Sequence, residues 1–312
     1  MTRAIQLSII VLYTERRYDD VTTLFYKYKR GAIATNLLYE IIYVLDGNFP
    51  EVIEALKDLK ARGEQFTIIQ LAKYFGEATA LNIGLEHARG EMILTLSAFE
   101  QVAAEEIPRV LEGLGESDMV LAQRWPRKDA LFNRVQSKIL NWLLGLVSDL
   151  PMHDAGCNVR AFKRAVIDEI HIYGEQHRFL PILAHQRGFT VREVKVAQAE
   201  ADRFRRIYSP GIYVRRLLDF LTIFFLARFT KKPLRFFGLL GTTVFVVGFV
   251  ITLYLIVERL LGVPLTNRPA LLLSSLLMIL GIQILAIGLI GEMIVFTHAK
   301  ELKEYTVAEI IN

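Results

Sequence analysis

Four short stretches carry residue types that could do chemistry. "HDAGCNVRAFKR", residues 153 to 164, sets a carboxylate, Asp154, beside the flexible Gly156, with the guanidinium of Arg160 six residues on. Asp154 could orient Arg160 or a substrate phosphate, or act as a base. "EADRFRRIYS", residues 200 to 209, clusters Arg203, Arg205 and Arg206. Clustered guanidiniums suit bidentate binding of phosphate. A solvated basic face beside anionic lipid explains the same charge nearly as well. "LDGN" puts Asp46 and Asn48 after an apolar run. A carboxylate there can accept from a base N–H or a ribose hydroxyl, although Asp-Gly is also a common turn pair. "SAFEQ", residues 97 to 101, follows another apolar run and carries a phenylalanine where a ligand crevice usually has a charge.

The elements that must position these residues alternate. Ile5 to Tyr13, Leu38 to Leu45, Phe66 to Leu71, Met92 to Leu96 and Asp118 to Gln123 read as strands. Glu77 to Ala88 reads as a helix closed at Arg89-Gly90, and Leu131 to Val147 has apolar residues at helical spacing. Strands separated by helices predict βαβ units, a mostly parallel sheet, and ligands at the carboxyl ends of its strands. The chain has no P-loop, no G-x-G-x-x-G and no Cys/His metal spacing. Its one cysteine, Cys157, rules out an intrachain disulfide.

With 312 residues the chain has room for one large domain or two smaller ones. Its net charge of +4 suits an anionic ligand or membrane face and is too weak to argue for nucleic acid. The hydrophobic fraction is 53%, and the last third explains it. No charge occurs from Phe236 to Val257, nor from Ala270 to Gly291, each run being 22 residues. As helix each spans about 33 Å, enough to cross a bilayer core. Lys231, Lys232 and Arg235 precede the pair, Lys300 and Lys303 follow it, and the connector holds only Arg259 and Arg268. The positive-inside rule puts both ends, and the N-terminal region, in the cytoplasm. "GIYVRRLLDFLTIFFLARFT", residues 211 to 230, reads as an amphipathic helix in the headgroup layer. The N-terminal apolar run has no cleavage-site pattern and reads as a strand, not a signal peptide.

Taken in order, these stretches resemble the membrane-anchored family 2 glycosyltransferases that load a sugar onto polyprenyl phosphate. The types in question are dolichyl-phosphate mannose synthase and bactoprenol glucosyltransferase. "YTE" at 13 to 15 is similar to that family's Tyr-Asn-Glu, and "LDGN" stands where Asp-Asp-Gly-Ser is usual. "LAKYFGEATALNIGLEHARGE" resembles its Arg-Asn-x-Gly…Ala…Gly…Ala-x-Gly-Asp stretch, and "HDAGCNVRAFKR" its Asp-x-Gly-x-x-x-Arg. "KPLRFFGLLG" and "IGLIGE" resemble the flanks of its two spans.

The resemblance implies an α/β GT-A domain with a Rossmann-like sheet over 1–208, an interfacial region over 209–234 and a transmembrane hairpin over 235–298. The two spans are about 236–257 and 270–295, and 299–312 is a cytoplasmic tail. It implies an inverting single displacement, a nucleotide sugar and a polyprenyl phosphate as substrates, and self-association. It places Tyr13, Glu15, Asp46, Lys73, Ser97 and Gln101 at the donor with Arg124 as a further candidate. Asp154 and Arg160 fall at the catalytic centre, and Arg203, Arg205 and Arg206 at the acceptor phosphate.

One departure stands out. The family has Asp-Ala-Asp-Leu-Gln where this chain has Ser97-Ala98-Phe99-Glu100-Gln101, and those acids hold Mg²⁺ or Mn²⁺. Leu45 replaces a further acid. Phenylalanine cannot ligate a hard cation, which leaves Ser97 and Glu100 as oxygen donors. Arginines could stabilise the departing diphosphate instead: Arg203, Arg205, Arg206 and Arg124. Three readings follow. They are an active transferase with an altered, metal-independent donor site, a catalytically silent membrane scaffold, and a lipid-handling protein that keeps the acceptor half.

Overall fold

The computed structural model describes residues 4–14, 18–127, 150, 152–154, 156–170, 177, 180–202, 233–262 and 269–298. The expected helices over 131–147 and 211–230 and the tail from 299 lie outside them, as do Glu15, Arg203, Arg205 and Arg206. The chain divides into two compact units, Met1–Asp219 and Phe220–Asn312.

The first unit is built on a seven-stranded sheet. Strands β1 (Leu7–Tyr13), β2 (Tyr39–Asp46), β3 (Thr67–Leu71), β4 (Met92–Ser97), β5 (Met119–Arg124), β6 (Arg160–Lys163) and β7 (Val191–Val196) lie in the order β3-β2-β1-β4-β6-β5-β7. All neighbouring pairs are parallel except those made by β6, which runs against both β4 and β5. Every residue of β1 is buried, and β2 and β4 are buried over most of their length, which is why they read as continuous apolar runs. The expected strands match these within two residues. β6 and β7 were not expected: the four residues of β6 follow a polar, glycine-bearing turn, and Arg160 opens that strand, which runs directly into a helix at Arg164–Asp168.

Helices α1 (Val21–Ile33), α2 (Pro50–Ala61), α3 (Glu77–His87) and α4 (Ile107–Glu112) connect the strands. Asp20 caps α1 by accepting the Thr23 N–H at 2.8 Å. The end of α3 is not a left-handed glycine cap, because Ala88 is extended. Gly90 serves a different purpose. A Cβ there would stand 2.7 Å from the Ser8 nitrogen, so glycine lets this turn lie against β1.

The strand order turns back between β1 and β4: the chain builds outward to β3, then returns across β1. In an open α/β sheet this switch point leaves a crevice at the carboxyl ends of the strands. Tyr13, Asp46 and Ser97 end the strands on either side of it.

The second unit is a hairpin of two long helices, Pro233–Leu260 and Pro269–His298. Of the most apolar 18-residue stretch in each, only 17% and 11% is buried. Two helices this apolar, exposed around most of their circumference, suit hydrocarbon rather than water. They meet along small residues seven apart, Gly241 and Gly248 on one, Ser274, Gly281 and Gly288 on the other. A Cβ on Gly281 would stand 2.7 Å from the Gly241 carbonyl oxygen and 2.6 Å from the Phe245 nitrogen. The heptad spacing keeps one seam facing the partner, and the missing side chains let the backbones touch. Glu292 accepts the Leu234 N–H at 3.2 Å, satisfying a donor that the first helical turn leaves unpaired.

Gly281→Leu should force this seam apart. We expect a loss of about 1–3 kcal/mol, the usual scale of overpacking. Thermal unfolding of the full chain in detergent micelles should show it as a lowered midpoint, and Leu276→Ala, on an exposed position of the same helix, should not.

Candidate active site

A crevice opens at the switch point. Leu12 and Thr14 of the β1 end, Ser97 and Phe99 of the β4 end, Glu77 of α3, and Asn158, Arg160 and His177 line it with Thr95 and several apolar groups. The β4 end therefore faces the crevice as its sequence position implies, and the structure brings Arg160 to it.

The stretch 97–101 is pinned from the α1 side. Tyr28 donates its hydroxyl to the Ser97 carbonyl at 2.9 Å. Asp19 accepts the Glu100 N–H at 2.8 Å. The Glu100 carboxylate pairs with Lys27 at 2.5 Å and accepts the Ala104 N–H at 3.2 Å. That hydrogen bond holds the Lys27 ammonium above its ordinary pKa, with burial pulling the other way. Glu100 therefore serves α1 and is not a metal ligand. Ser97 Oγ donates to Gln101 Oε1 at 3.3 Å, and the same oxygen accepts the Asn158 N–H at 2.8 Å. Gln101 joins β4 to the turn before β6.

A divalent cation wants several hard oxygens converging on one point. Phe99 is buried and offers none. Among the described residues no three His, Cys, Asp or Glu side chains come close enough to hold a metal. The described residues do not fit the Mg²⁺ or Mn²⁺ site that the family resemblance implies.

The structure gives other expected donor residues partners within the protein. Tyr13 is fully buried, and its ring packs near Tyr43, Phe49 and Tyr18 at centroid distances of 6.1 to 6.2 Å. Its side chain is not among those lining the crevice. Asp46 accepts the Phe75 and Gly76 N–H groups at 2.7 and 2.8 Å, one on each carboxylate oxygen. It ties β2 to the turn before α3 and is not poised toward a base or ribose. Lys73 is exposed and lies over the Phe75 ring at 5.3 Å.

Asp154 also departs from expectation. Its partner is Arg124, at the end of β5, and not Arg160. Arg124 Nε donates to Asp154 Oδ2 at 2.7 Å and Nη2 to Oδ1 at 2.8 Å, a two-point fork. Arg124 Nη1 donates to Asp202 Oδ2 at 2.7 Å, and Gln198 Nε2 donates to that same oxygen at 3.0 Å. Arg127 Nη1 stands 3.5 Å from Asp154 Oδ1. Burial works against the charge of Arg124, but the hydrogen bonds and charge of Asp154, with Asp202, hold its pKa well above the ordinary value. The guanidinium is thus spent on two carboxylates, and Arg124 is no candidate for a ligand phosphate. Asp154 does not line the crevice.

Sequence reasoning missed Glu77, Asn158 and His177. Glu77 Oε2 pairs with His177 Nε2 at 2.9 Å, and Asn158 Nδ2 donates to Glu77 Oε1 at 3.3 Å. Arg160 Nη1 donates to the His177 carbonyl at 2.6 Å. These residues are 81 to 100 positions apart or belong to short turns, so no local pattern links them. Only the position of Glu77 at the first turn of α3, after Gly76, marked it.

The family-model comparison settles the class. The description "Glycosyl transferase family 2" matches residues 8–170, which is 163 of the 312 residues. This chain belongs to that family. The dodecaprenyl-phosphate galacturonate synthase of Rhizobium johnstonii is 27% identical over 96% of this chain and 90% of its own. The undecaprenyl-phosphate 4-deoxy-4-formamido-L-arabinose transferase of Pseudomonas aeruginosa is 32% identical over 81% of this chain and 75% of its own. The fold is also that of solved relatives. Glucosyl-3-phosphoglycerate synthase from Mycobacterium tuberculosis superposes with a TM-score of 0.50 over 70% of this chain and 80% of that one, at 13% identity. The first unit is a GT-A domain.

Two outcomes test this geometry. Arg124→Ala removes the guanidinium that two buried carboxylates share and should cost about 3–5 kcal/mol of stability, read by denaturant unfolding. Cys157 is buried, and burial pushes its pKa up to about 12, Arg124 pulling down and Asp154 pushing up. The thiolate is the reactive form, so native protein at pH 8 should resist maleimide and unfolded protein should take one label. Rapid labelling of the native state would show that this region opens.

Proposed function

We propose that this protein transfers a sugar from a UDP- or GDP-linked donor to a polyprenyl phosphate at the cytoplasmic face of a membrane. One observation carries the reading. Relatives named for dodecaprenyl- and undecaprenyl-phosphate sugar transfer align with 81% to 97% of this chain, far past its GT-A portion. A hairpin apolar enough to cross a bilayer suits a transferase whose acceptor is a membrane lipid.

The chemistry asks little of a general base. A phosphate monoester is already anionic near neutral pH, so its oxygen attacks the sugar carbon without prior deprotonation. Attack from the face opposite the leaving group inverts that carbon. The demand falls on the leaving side, where negative charge gathers on the nucleoside diphosphate. With the Mg²⁺ or Mn²⁺ ligands lacking, the chain's own cations meet that demand. Asp154 acts in this reading by fixing Arg124 and the turn that leads into β6, rather than by taking a proton. Arg203, Arg205 and Arg206 lie on the approach to the membrane unit in sequence and suit the acceptor phosphate. The basic residues flanking the hairpin favour cytoplasmic ends, and self-association belongs to the same reading.

A second reading has a specific observation in its favour. Ser97 and Phe99 stand where acids would hold a metal, as expected of a silent partner subunit that kept the fold.

Membranes containing the chain, given labelled UDP- and GDP-sugars with undecaprenyl phosphate, should form an organic-soluble product that mild acid cleaves. An intact fold with no product from any nucleotide sugar favours the silent partner. Arg205→Ala should weaken lipid-phosphate binding and spare the fold. Unchanged binding would assign the cluster to general attraction by anionic lipid. A reporter fused after Asn312 should stay shielded from the outer face, and labelling there from outside would reverse the topology.

A further inference from the structure

Trp125 stands out in water at the carboxyl end of β5, with 59% of its surface exposed. Its backbone is nonetheless held. The Trp125 N–H donates to the Val196 carbonyl at 2.8 Å, which carries the pairing of β5 and β7 one residue further. The residue before it is Arg124, fixed by Asp154 and Asp202. The fold therefore presents a large, mostly apolar ring to the outside from a firm base, and water is a poor surrounding for it.

The surroundings of the ring say what suits it. Lys195 Nζ, on an exposed residue of β7, lies over the indole at 5.6 Å from its centroid. An apolar ring with a polar N–H, beside an ammonium, matches the boundary between acyl chains and lipid phosphates, where tryptophan concentrates. The place in the chain agrees. Arg124 Nη1 donates to Asp202, and from Asp202 the chain runs through residues 203–232 to the apolar hairpin that opens at Pro233. The charge agrees as well. Residues 125–138 hold four basic side chains and one acid, Asp129, while residues 203–216 hold five arginines and no acid. Anionic lipid attracts basic segments next to a membrane span. Tyr74 and Phe75 are also exposed, but they follow β3, at the opposite end of the strand order from β7.

We propose that Trp125 seats the GT-A domain on the headgroup layer of an anionic bilayer, with its indole at the acyl boundary and Lys195 on the lipid phosphates. This seat needs only that the hairpin lies in a bilayer and does not depend on the transferase reading. It has a consequence for that reading. β4 and β5 both run against β6, so their carboxyl ends share one edge of the sheet with the crevice. Seating Trp125 turns that edge toward the layer in which a lipid phosphate would lie.

The test is fluorescence of the full chain carrying Trp142→Phe, which leaves Trp125 as its one tryptophan, reconstituted in phosphatidylcholine vesicles. Bromine on the acyl chains quenches indole at short range. Lipid brominated near the headgroup should lower the emission, and lipid brominated near the chain end should lower it less. The difference between native protein and Trp125→Phe reads the same quantity if Trp142→Phe disturbs the fold. Added phosphatidylglycerol should deepen the quenching, and Lys195→Gln should cut that increase. An increase that Lys195→Gln leaves unchanged would overturn the role given to Lys195. Stronger quenching from the chain end would overturn the headgroup position. No quenching at either depth overturns the proposal. If the indole is then also shielded from acrylamide in solution, a protein surface such as a second copy of the chain covers it instead. Sugar transfer is read separately by the product assay and stands or falls on that result.

Discussion

A single buried guanidinium organises the far half of the GT-A sheet. Arg124 ends β5, grips Asp154 with a two-point fork and reaches Asp202 with its remaining nitrogen. These three residues come from β5, the turn before β6 and the short turn after β7. Removing any one would strand a charge where water cannot reach it, a penalty larger than the net gain from an exposed pair. Arg127 beside Asp154 supplies a second positive charge, so two guanidiniums face two carboxylates. The consequence for chemistry is direct. A carboxylate held this firmly is a structural member, and an arginine so neutralised has little attraction left for a substrate anion.

The same logic separates the near half of the site from its family pattern. The residues after β4 occupy the place of a metal-binding turn, yet their polar groups answer to α1. Tyr28 holds the Ser97 carbonyl, Asp19 the Glu100 amide, and Lys27 the Glu100 carboxylate. With Phe99 buried among them, the turn keeps its shape without keeping its charge. Shape can be preserved by backbone hydrogen bonds alone, because the sheet and α1 supply the donors and acceptors. Glu77, Asn158, His177 and Arg160 form a linked polar group in the lining of the crevice.

The membrane unit follows a simpler rule. In hydrocarbon an apolar side chain gains little by touching another, so close packing must hold two helices together. Glycines and a serine at heptad spacing provide it, and the backbones approach until carbonyls meet the facing chain. The outward residues are left large and apolar, which suits lipid tails.

Much of this was legible in the sequence because its signals are local. Buried parallel strands read as apolar runs, so β1, β2 and β4 were found within two residues, and two uncharged stretches of 22 residues could only be long apolar helices. The absence of metal-binding acids at 97 and 99 was likewise plain, since a residue's chemistry needs no fold to be known. What the sequence could not decide was partnership. Asp154 lies six residues from Arg160 and thirty from Arg124, yet it binds Arg124, because β5 and the turn before β6 meet only in the folded sheet. Asp46 reads as a ligand-binding carboxylate until the Phe75 and Gly76 amides fold onto it. Glu77 and His177, a hundred residues apart, become neighbours across the crevice. A side chain's identity sets what it can do, but its charge and hydrogen-bonding capacity are finite. Which group claims them is settled by distances that only the tertiary structure creates.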